Sequence, residues 1–409
     1  MSDNIPFEIQ LEIMKRLPVK SLIQFRSVSK TWKSLIGSSR FITEYSSQQQ
    51  HLLVRYSDSV ESIIHTKSPN RSLLTRLFRR STARVPVPLF EHKYVSVVDD
   101  DHHQHKVSMT HVPVSVKMLI YPRLISISHG LVCLYSPSTH VAYLWNISIR
   151  KIAAVVVPAS ANEWGEEYQT ALGFGVCRET SDPKIVKIRY VDPLLSSELM
   201  TAHLTGIRIP IDPISSQVEV FTLSTGAWRS PYGVNLPRNS ISFYLRDELV
   251  IDGVFYWLAT EWIVTRLIVS FDMTTEEFIE ITLPDGLSNI NNQISMSNLR
   301  DSLVVYGYDH RVINKDFCVW TMGGGVFTKL FTITLNGNAM LRGFRKSGEP
   351  IIAIPEEGKR GRLAVVYEPY SNHVDNLRID GLPFSFKVYP YIETLYLLDH
   401  PYIMVYNAI

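Results

Sequence analysis

The spacing of apolar positions changes once along this chain, near residue 48, and the change divides it in two. Before that point the rhythm is helical. Phe7, Ile9, Leu11, Ile13, Met14 and Leu17 lie between Pro6, placed where a first helical turn needs no N–H, and Pro18, which stops the helix. The spacing predicts a second helix over Val19 to Val28, with Leu22 and Phe25 three apart and Ile23 on an adjacent face. Ser29 is placed to N-cap a third helix, in which Trp32, Leu35 and Ile36 fall at i, i+3 and i+4 before Gly37 ends it. Ser38 can cap a last short helix with Phe41, Ile42 and Tyr45. A unit of roughly 40 residues cannot bury apolar side chains on several helix faces by itself. The surplus has to be covered by a partner or by the rest of the chain.

From about Gln48 the pattern becomes short runs of β-branched and aromatic residues separated by Gly, Pro, Asn, Asp and Ser, which predicts an all-β region. Five segments share one design, an apolar strand reaching an aromatic residue, a polar turn, and a returning strand. Aligning Trp145, Phe221, Phe271, Trp320 and Tyr367 gives spacings of 76, 50, 49 and 47 residues. A weaker hairpin puts Val97 at 48 residues before Trp145. The long interval contains 192–216, rich in Ser, Pro and Leu, which reads as an inserted loop. Further strands lie between the hairpins, so each period of about 50 residues holds about four strands, the content of one kelch-type propeller blade. Six such units fill 48–409, and Thr394 to Leu398 with Tyr402 to Val405 are expected to complete the first blade and close the ring. A β-sandwich is the alternative that spacing leaves open.

The helical segment also carries a resemblance. Ile5-Pro6-x-Glu8-Ile9-x-x-Glu12-Ile13, Arg16-Leu17-Pro18-Val19-Lys20-Ser21-Leu22 and Phe25-Arg26-x-Val28-Ser29-Lys30-x-Trp32-x-x-Leu35-Ile36 resemble a plant-type F-box, with Ile5 where Leu is commonest. The β-region is similar to the F-box-associated domain of the same plant family. That similarity is carried by His129-Gly130-Leu131-Val132-Cys133-Leu134-Tyr135, Leu144-Trp145-Asn146 with Ser148, Arg150 and Lys151, and Gly173-Phe174-Gly175. Val218-Glu219-Val220-Phe221, Thr225-Gly226-x-Trp228-Arg229 and Ser270-Phe271-Asp272 ahead of Glu277-Phe278 extend it. Ile147 stands where the family often has Pro, and Pro183-Lys184 where it has Asp-Tyr-Lys.

The resemblance implies a domain at 1–47 that docks a Skp-family adaptor, which joins cullin and RING subunits in an SCF ubiquitin ligase. A propeller-like domain at 48–409 would hold an unidentified protein substrate for ubiquitination and proteasomal degradation. Adaptor contact and F-box core together fall to Ile5, Pro6, Ile9, Ile13, Leu17, Pro18, Val19, Leu22, Phe25, Val28 and Trp32. A non-degradative scaffold or inhibitor is a second reading. A propeller hydrolase or lectin with an unrelated helical N-terminus is a third.

Composition narrows this further. With 45% hydrophobic residues in 409, the chain is globular, and a formal net charge of +2 argues against a dedicated nucleic-acid binder. No run of about 18 apolar residues occurs, and the N-terminus has no apolar signal core. A non-membrane protein of cytoplasm or nucleus is expected. Cys133, Cys177 and Cys318 form no CxxC pair, and Cys318, on an apolar strand, reads as a small core residue. The acid-free basic stretch at 62–90, with Lys67, Arg71, Arg76, Arg79, Arg80 and Arg84, reads as a solvated loop. Asp99 to His105 reads as a polar hairpin tip rather than a metal site.

For an enzyme, a nucleophile elbow, phosphate loop, zinc helix or dinucleotide fingerprint is needed, and none is present. Gly323-Gly324-Gly325 reads as a hairpin turn, and Glu276-Glu277, like Glu166-Glu167, as a solvated turn. No cofactor and no catalytic residue is expected.

Overall fold

The structure is a computed structural model. It describes residues 5–45, 50–59, 90–99, 107–110, 112–113, 116, 122–158, 168–191, 217–238, 240–245, 248–261, 265–288, 292–309, 315–335, 337–356, 361–368, 373–400 and 403–405. The stretch at 62–89, the insertion at 192–216, the tip at 100–106 and Glu166-Glu167 lie outside the described residues.

Four short helices open the chain: α1 Phe7–Lys15, α2 Val19–Phe25, α3 Lys30–Ile36 and α4 Ser39–Glu44. Their ends follow the local chemistry. Pro6 and Pro18 occupy the extended positions just before α1 and α2. Ser29 accepts from the Trp32 N–H at 3.1 Å and Ser38 from the Phe41 N–H at 3.3 Å, each replacing a bond that a helix start lacks. α2 stops at Phe25, three residues before the expected Val28, and a tight turn carries the chain into the cap of α3.

The remainder forms six antiparallel sheets, the blades of a β-propeller. Blade 1 holds β1 Gln50–Ser59, β2 Phe90–Val98 and β3 Val107–Met109. Blade 2 holds β4 Arg123–Ser128, β5 Leu131–Ser136, β6 Val141–Asn146 and β7 Lys151–Val156. Blade 3 holds β8 Tyr168–Val176, β9 Pro183–Val191, β10 Gln217–Thr222 and β11 Ala227–Arg229. Blade 4 holds β12 Ile241–Phe243, β13 Leu249–Ile251, β14 Val254–Glu261, β15 Thr265–Asp272 and β16 Phe278–Thr282. Blade 5 holds β17 Asn292–Leu299, β18 Ser302–Asp309, β19 Lys315–Gly323 and β20 Val326–Leu335. Blade 6 holds β21 Met340–Phe344, β22 Pro350–Pro355, β23 Gly361–Glu368 and β24 His373–Gly381.

All six anchors of the repeat, Val97 included, lie on the third strand of their blade, which is why one spacing recurs. The spacing measures the repeat of the fold. Packing explains the apolar content: β4 and β5 are buried on both faces because each blade is stacked between two others. Trp257 of blade 4 donates its indole N–H to the Leu172 carbonyl of blade 3 at 3.1 Å, and Ser126 of blade 2 donates to the Phe174 carbonyl at 2.8 Å. Gly173 lies under Trp257, where a Cβ would come within 2.7 Å of the ring.

The ring closes differently from the sequence expectation. The strand that completes blade 1 is β25 Lys387–Ile392, pairing with β1 from Gln50↔Ile392 to Arg55↔Lys387. As the innermost strand of its blade it needs only one neighbour, so Pro390 is tolerated. Thr394 to Leu398 forms turns instead, and β26 Ile403–Val405 adds a fifth strand outside β7 of blade 2. Innermost strands then neighbour one another from blade 4 through blades 5, 6 and 1 to blade 2, and from blade 2 to blade 3, while β8 of blade 3 meets β14 of blade 4. Gly324 and Gly325, both left-handed, form the β19–β20 turn as expected. Cys318 is half-buried with its Sγ near the Thr332 hydroxyl, since Phe317 and Val319 take the inward positions beside it.

Candidate functional site

The helical module divides the eleven motif residues by burial. Val19 and Leu22 are buried. Leu17, Phe25 and Trp32 are half-buried; the rings of Phe25 and Trp32 meet at 5.2 Å, and the Trp32 indole N–H donates to Gln10 at 3.3 Å. Ile5, Pro6, Ile9, Ile13, Pro18 and Val28 are exposed, Ile9 by 51% and Val28 by 66%. Phe7 and Ile23 add to this exposed apolar surface. Motif membership alone cannot make that division, because consecutive anchors serve a core and a surface in turn.

The buried set is not closed by the module itself. Met14, Val19, Leu22, Ile36, Phe41 and Tyr45 share one core with Leu395 and Leu398, which follow β25, and with Ile149 in the β6–β7 turn. The Arg26 guanidinium donates to both carboxylate oxygens of Asp399 at 2.8 Å. A Cβ on Gly37 would overlap that carboxylate. Tyr45 donates its hydroxyl to the Leu17 carbonyl at 2.7 Å, and Lys151 reaches the Leu398 carbonyl. Asn146 fixes the segment that follows β25: its amide donates to the carbonyls of Thr394 and Tyr396 at 3.1 and 2.8 Å, while its carbonyl oxygen caps the turn at Ser148. The only forewarning in the sequence was the apolar pair Leu395 and Leu398, three apart, with an acid after it.

This contact puts the helical module on the propeller face where β4, β6, β13, β15 and β25 end. The same face holds two built features. At its centre is a cavity of about 280 Å³. Its rim includes three two-residue turns, His129-Gly130, Asp252-Gly253 and Arg300-Asp301, all left-handed as such hairpins require. On that rim Arg345 and Asp99, both buried, pair at 2.8 Å. Asp99, expected in a polar tip, is therefore a structural tie between blades 1 and 6.

The second feature is Glu276, fully buried and not the solvated turn residue expected. Its carboxylate accepts from Lys184 at 2.8 Å, from Arg229 at 2.7 and 2.6 Å and from the Tyr232 N–H at 2.9 Å. Burial pushes its pKa up, but the hydrogen bonds of Arg229, Lys184 and the Tyr232 amide outweigh it and hold the group at about 2. The triad ties blade 3 to the β15–β16 turn of blade 4.

Among the described residues no group of three or more His, Cys, Asp or Glu is placed to hold a metal ion, and no helix is long and apolar enough to cross a membrane. A small helical module with exposed apolar side chains is mounted on a six-bladed propeller. Residues 2–44 match the F-box domain, and residues 88–400 match the F-box associated beta propeller domain. The chain belongs to this family of F-box proteins with an associated propeller. It is similar to an F-box/kelch-repeat protein of Arabidopsis thaliana, 26% identical over 326 residues, covering 78% of this chain and 75% of that one. An F-box protein of the same plant is 24% identical, covering 98% of this chain and 93% of its own. Among solved structures, prolyl oligopeptidase B from Galerina marginata aligns at a TM-score of 0.35 with 11% identity, over 72% of this chain and 41% of that one.

Proposed function

We propose that this chain is the substrate-recognition subunit of an SCF ubiquitin ligase. Its F-box docks a Skp-family adaptor, which brings cullin and RING subunits, and its propeller holds a target protein for ubiquitination and degradation. The chain itself carries out no chemistry. It raises the effective concentration of target lysines near the charged conjugating enzyme. The observation that carries the reading is the exposed apolar surface of Ile5, Phe7, Ile9, Ile13 and Val28 on a module whose own core is already complete with Leu395 and Leu398. An uncovered surface of this kind marks a protein interface. We place its work in cytoplasm or nucleus, where such a complex operates.

The test is co-purification with a Skp-family adaptor, comparing the native chain with Leu17→Ala/Pro18→Ala. A stoichiometric complex that the double variant loses is the expected result. A native chain that purifies folded and alone overturns it. Accumulation of a bound protein on proteasome inhibition distinguishes a degradative receptor from a scaffold.

A further inference from the structure

The central cavity lies on the face that carries the F-box, and among the described residues its rim has charges left over after internal pairing. Arg345 and Asp99 neutralise each other. Arg300 gives one N–H to the Ser347 carbonyl at 2.6 Å and is otherwise exposed. Asp252 meets Arg178 only at 3.5 Å. The side chains of Asp301 and Lys346 are exposed and have no partner among the described residues. Beneath them the Asn298 side-chain oxygen is buried and makes no hydrogen bond among the described residues, an acceptor waiting for a donor.

The left-over charges are ordered around the mouth. Asp252 and Asp301 come from blades 4 and 5, and Arg300 and Lys346 from blades 5 and 6. Against these described charges, a ligand of one sign would meet as much repulsion as attraction. A ligand with both signs side by side would not, and a long basic side chain suits the Asn298 acceptor, its stem against the apolar walls of Ile251 and Phe344.

We propose that the mouth binds a protein segment that inserts a Lys or Arg side chain toward Asn298 and Asp301, with a neighbouring acidic side chain held by Lys346 and Arg300. This names the target segment of the receptor and rests on that reading.

The test uses the full chain, immobilised, with three capped hexapeptide libraries on a Gly/Ser background: one with a Lys-Glu pair, one with Lys-Lys and one with Glu-Glu. The native chain is expected to retain the mixed library best. Asp301→Asn, which keeps a residue tolerant of the left-handed turn, and Lys346→Gln should each lower that retention about three- to fivefold. Lys346→Glu should move the preference toward Lys-Lys. Equal retention of all three libraries, a single-sign preference in the native chain, or indifference to the substitutions overturns the proposal. Adaptor co-purification is measured on the same samples. If it persists while peptide binding fails, the mouth assignment alone is wrong; if it fails while peptide binding follows the substitutions, the receptor reading is wrong and the mouth stands.

Discussion

Arg26 and Asp399, 373 positions apart in sequence, meet with both carboxylate oxygens at 2.8 Å from one guanidinium nitrogen. The pair marks where the end of the propeller locks onto the F-box. Leu395 and Leu398 of the same segment lie inside the F-box core, so the module is mounted rather than tethered. On the proposed receptor reading, this joint would hold target and adaptor at one fixed orientation.

The apolar part of that joint should dominate. Leu398→Ala removes a side chain that is almost fully buried among helix residues and should cost about 2 to 4 kcal/mol. Asp399→Asn breaks a pair whose carboxylate is half exposed, so its cost should stay below about 1 kcal/mol. Urea unfolding of both variants tests the order, and limited proteolysis near 46–49 should report undocking of the F-box only in the first.

The sequence made the propeller legible because a blade repeats its third strand, and aromatic anchors such as Phe271 and Trp320 recur at that strand. It made the helix starts legible because Ser29 and Ser38 leave a capping signature. It did not show the closing strand. Lys387–Ile392 contains Pro390 and reads poorly as a strand, whereas Thr394 to Leu398 is apolar enough to look like one. An apolar run serves equally as a strand or as a plug under helices, and only the partner surface decides. The burial of Glu276 is hidden from the sequence for a similar reason: it depends on Lys184 and Arg229, some 92 and 47 positions away.

The division of the F-box residues predicts opposite behaviour for neighbours in one motif. Ile9→Glu/Ile13→Glu alters exposed positions and should change stability by no more than about 0.5 kcal/mol per site while abolishing adaptor co-purification. Leu22→Ala empties a fully buried position and should cost about 2 to 5 kcal/mol, with adaptor binding lost through unfolding of the module. Circular dichroism melts alongside the co-purification separate the two causes. Equal destabilisation by both would refute the assignment of faces.

Close packing between blades 3 and 4 sets a limit at Gly173. Its backbone angle is open to any residue, but a Cβ would lie 2.7 Å from Trp257 Cζ2 and 2.9 Å from Val186 Cγ1. Gly173→Ala should therefore destabilise by about 1 to 3 kcal/mol through overpacking, although Gly→Ala in a strand would otherwise help. A lowered urea midpoint, with a changed indole emission as Trp257 is displaced, is the expected measurement. A midpoint at or above the native one would show that the blades can separate at little cost.

The buried triad at Glu276 makes part of the stability depend on pH in a direction that can be worked out. The carboxyl is held at about 2 in the folded chain against an ordinary 4.5. A group whose folded pKa is lowered stabilises the fold fully above its unfolded value, and that contribution is lost as pH falls through the interval between the two. Native stability should therefore drop between pH 4.5 and about 2 in part because Glu276 takes up a proton, leaving the buried Lys184 and the half-buried Arg229 without a counter-charge. Glu276→Gln imposes that condition at every pH and should cost about 3 kcal/mol or more at neutrality, the usual result of removing one member of a buried ion pair. The difference in unfolding free energy between native chain and variant is the informative quantity, because other carboxyls titrate in both. It should be largest near pH 7 and shrink toward zero as pH approaches 2. A difference independent of pH would mean that the Glu276 side chain contributes through shape and hydrogen bonding, and that its charge does not hold blades 3 and 4 together.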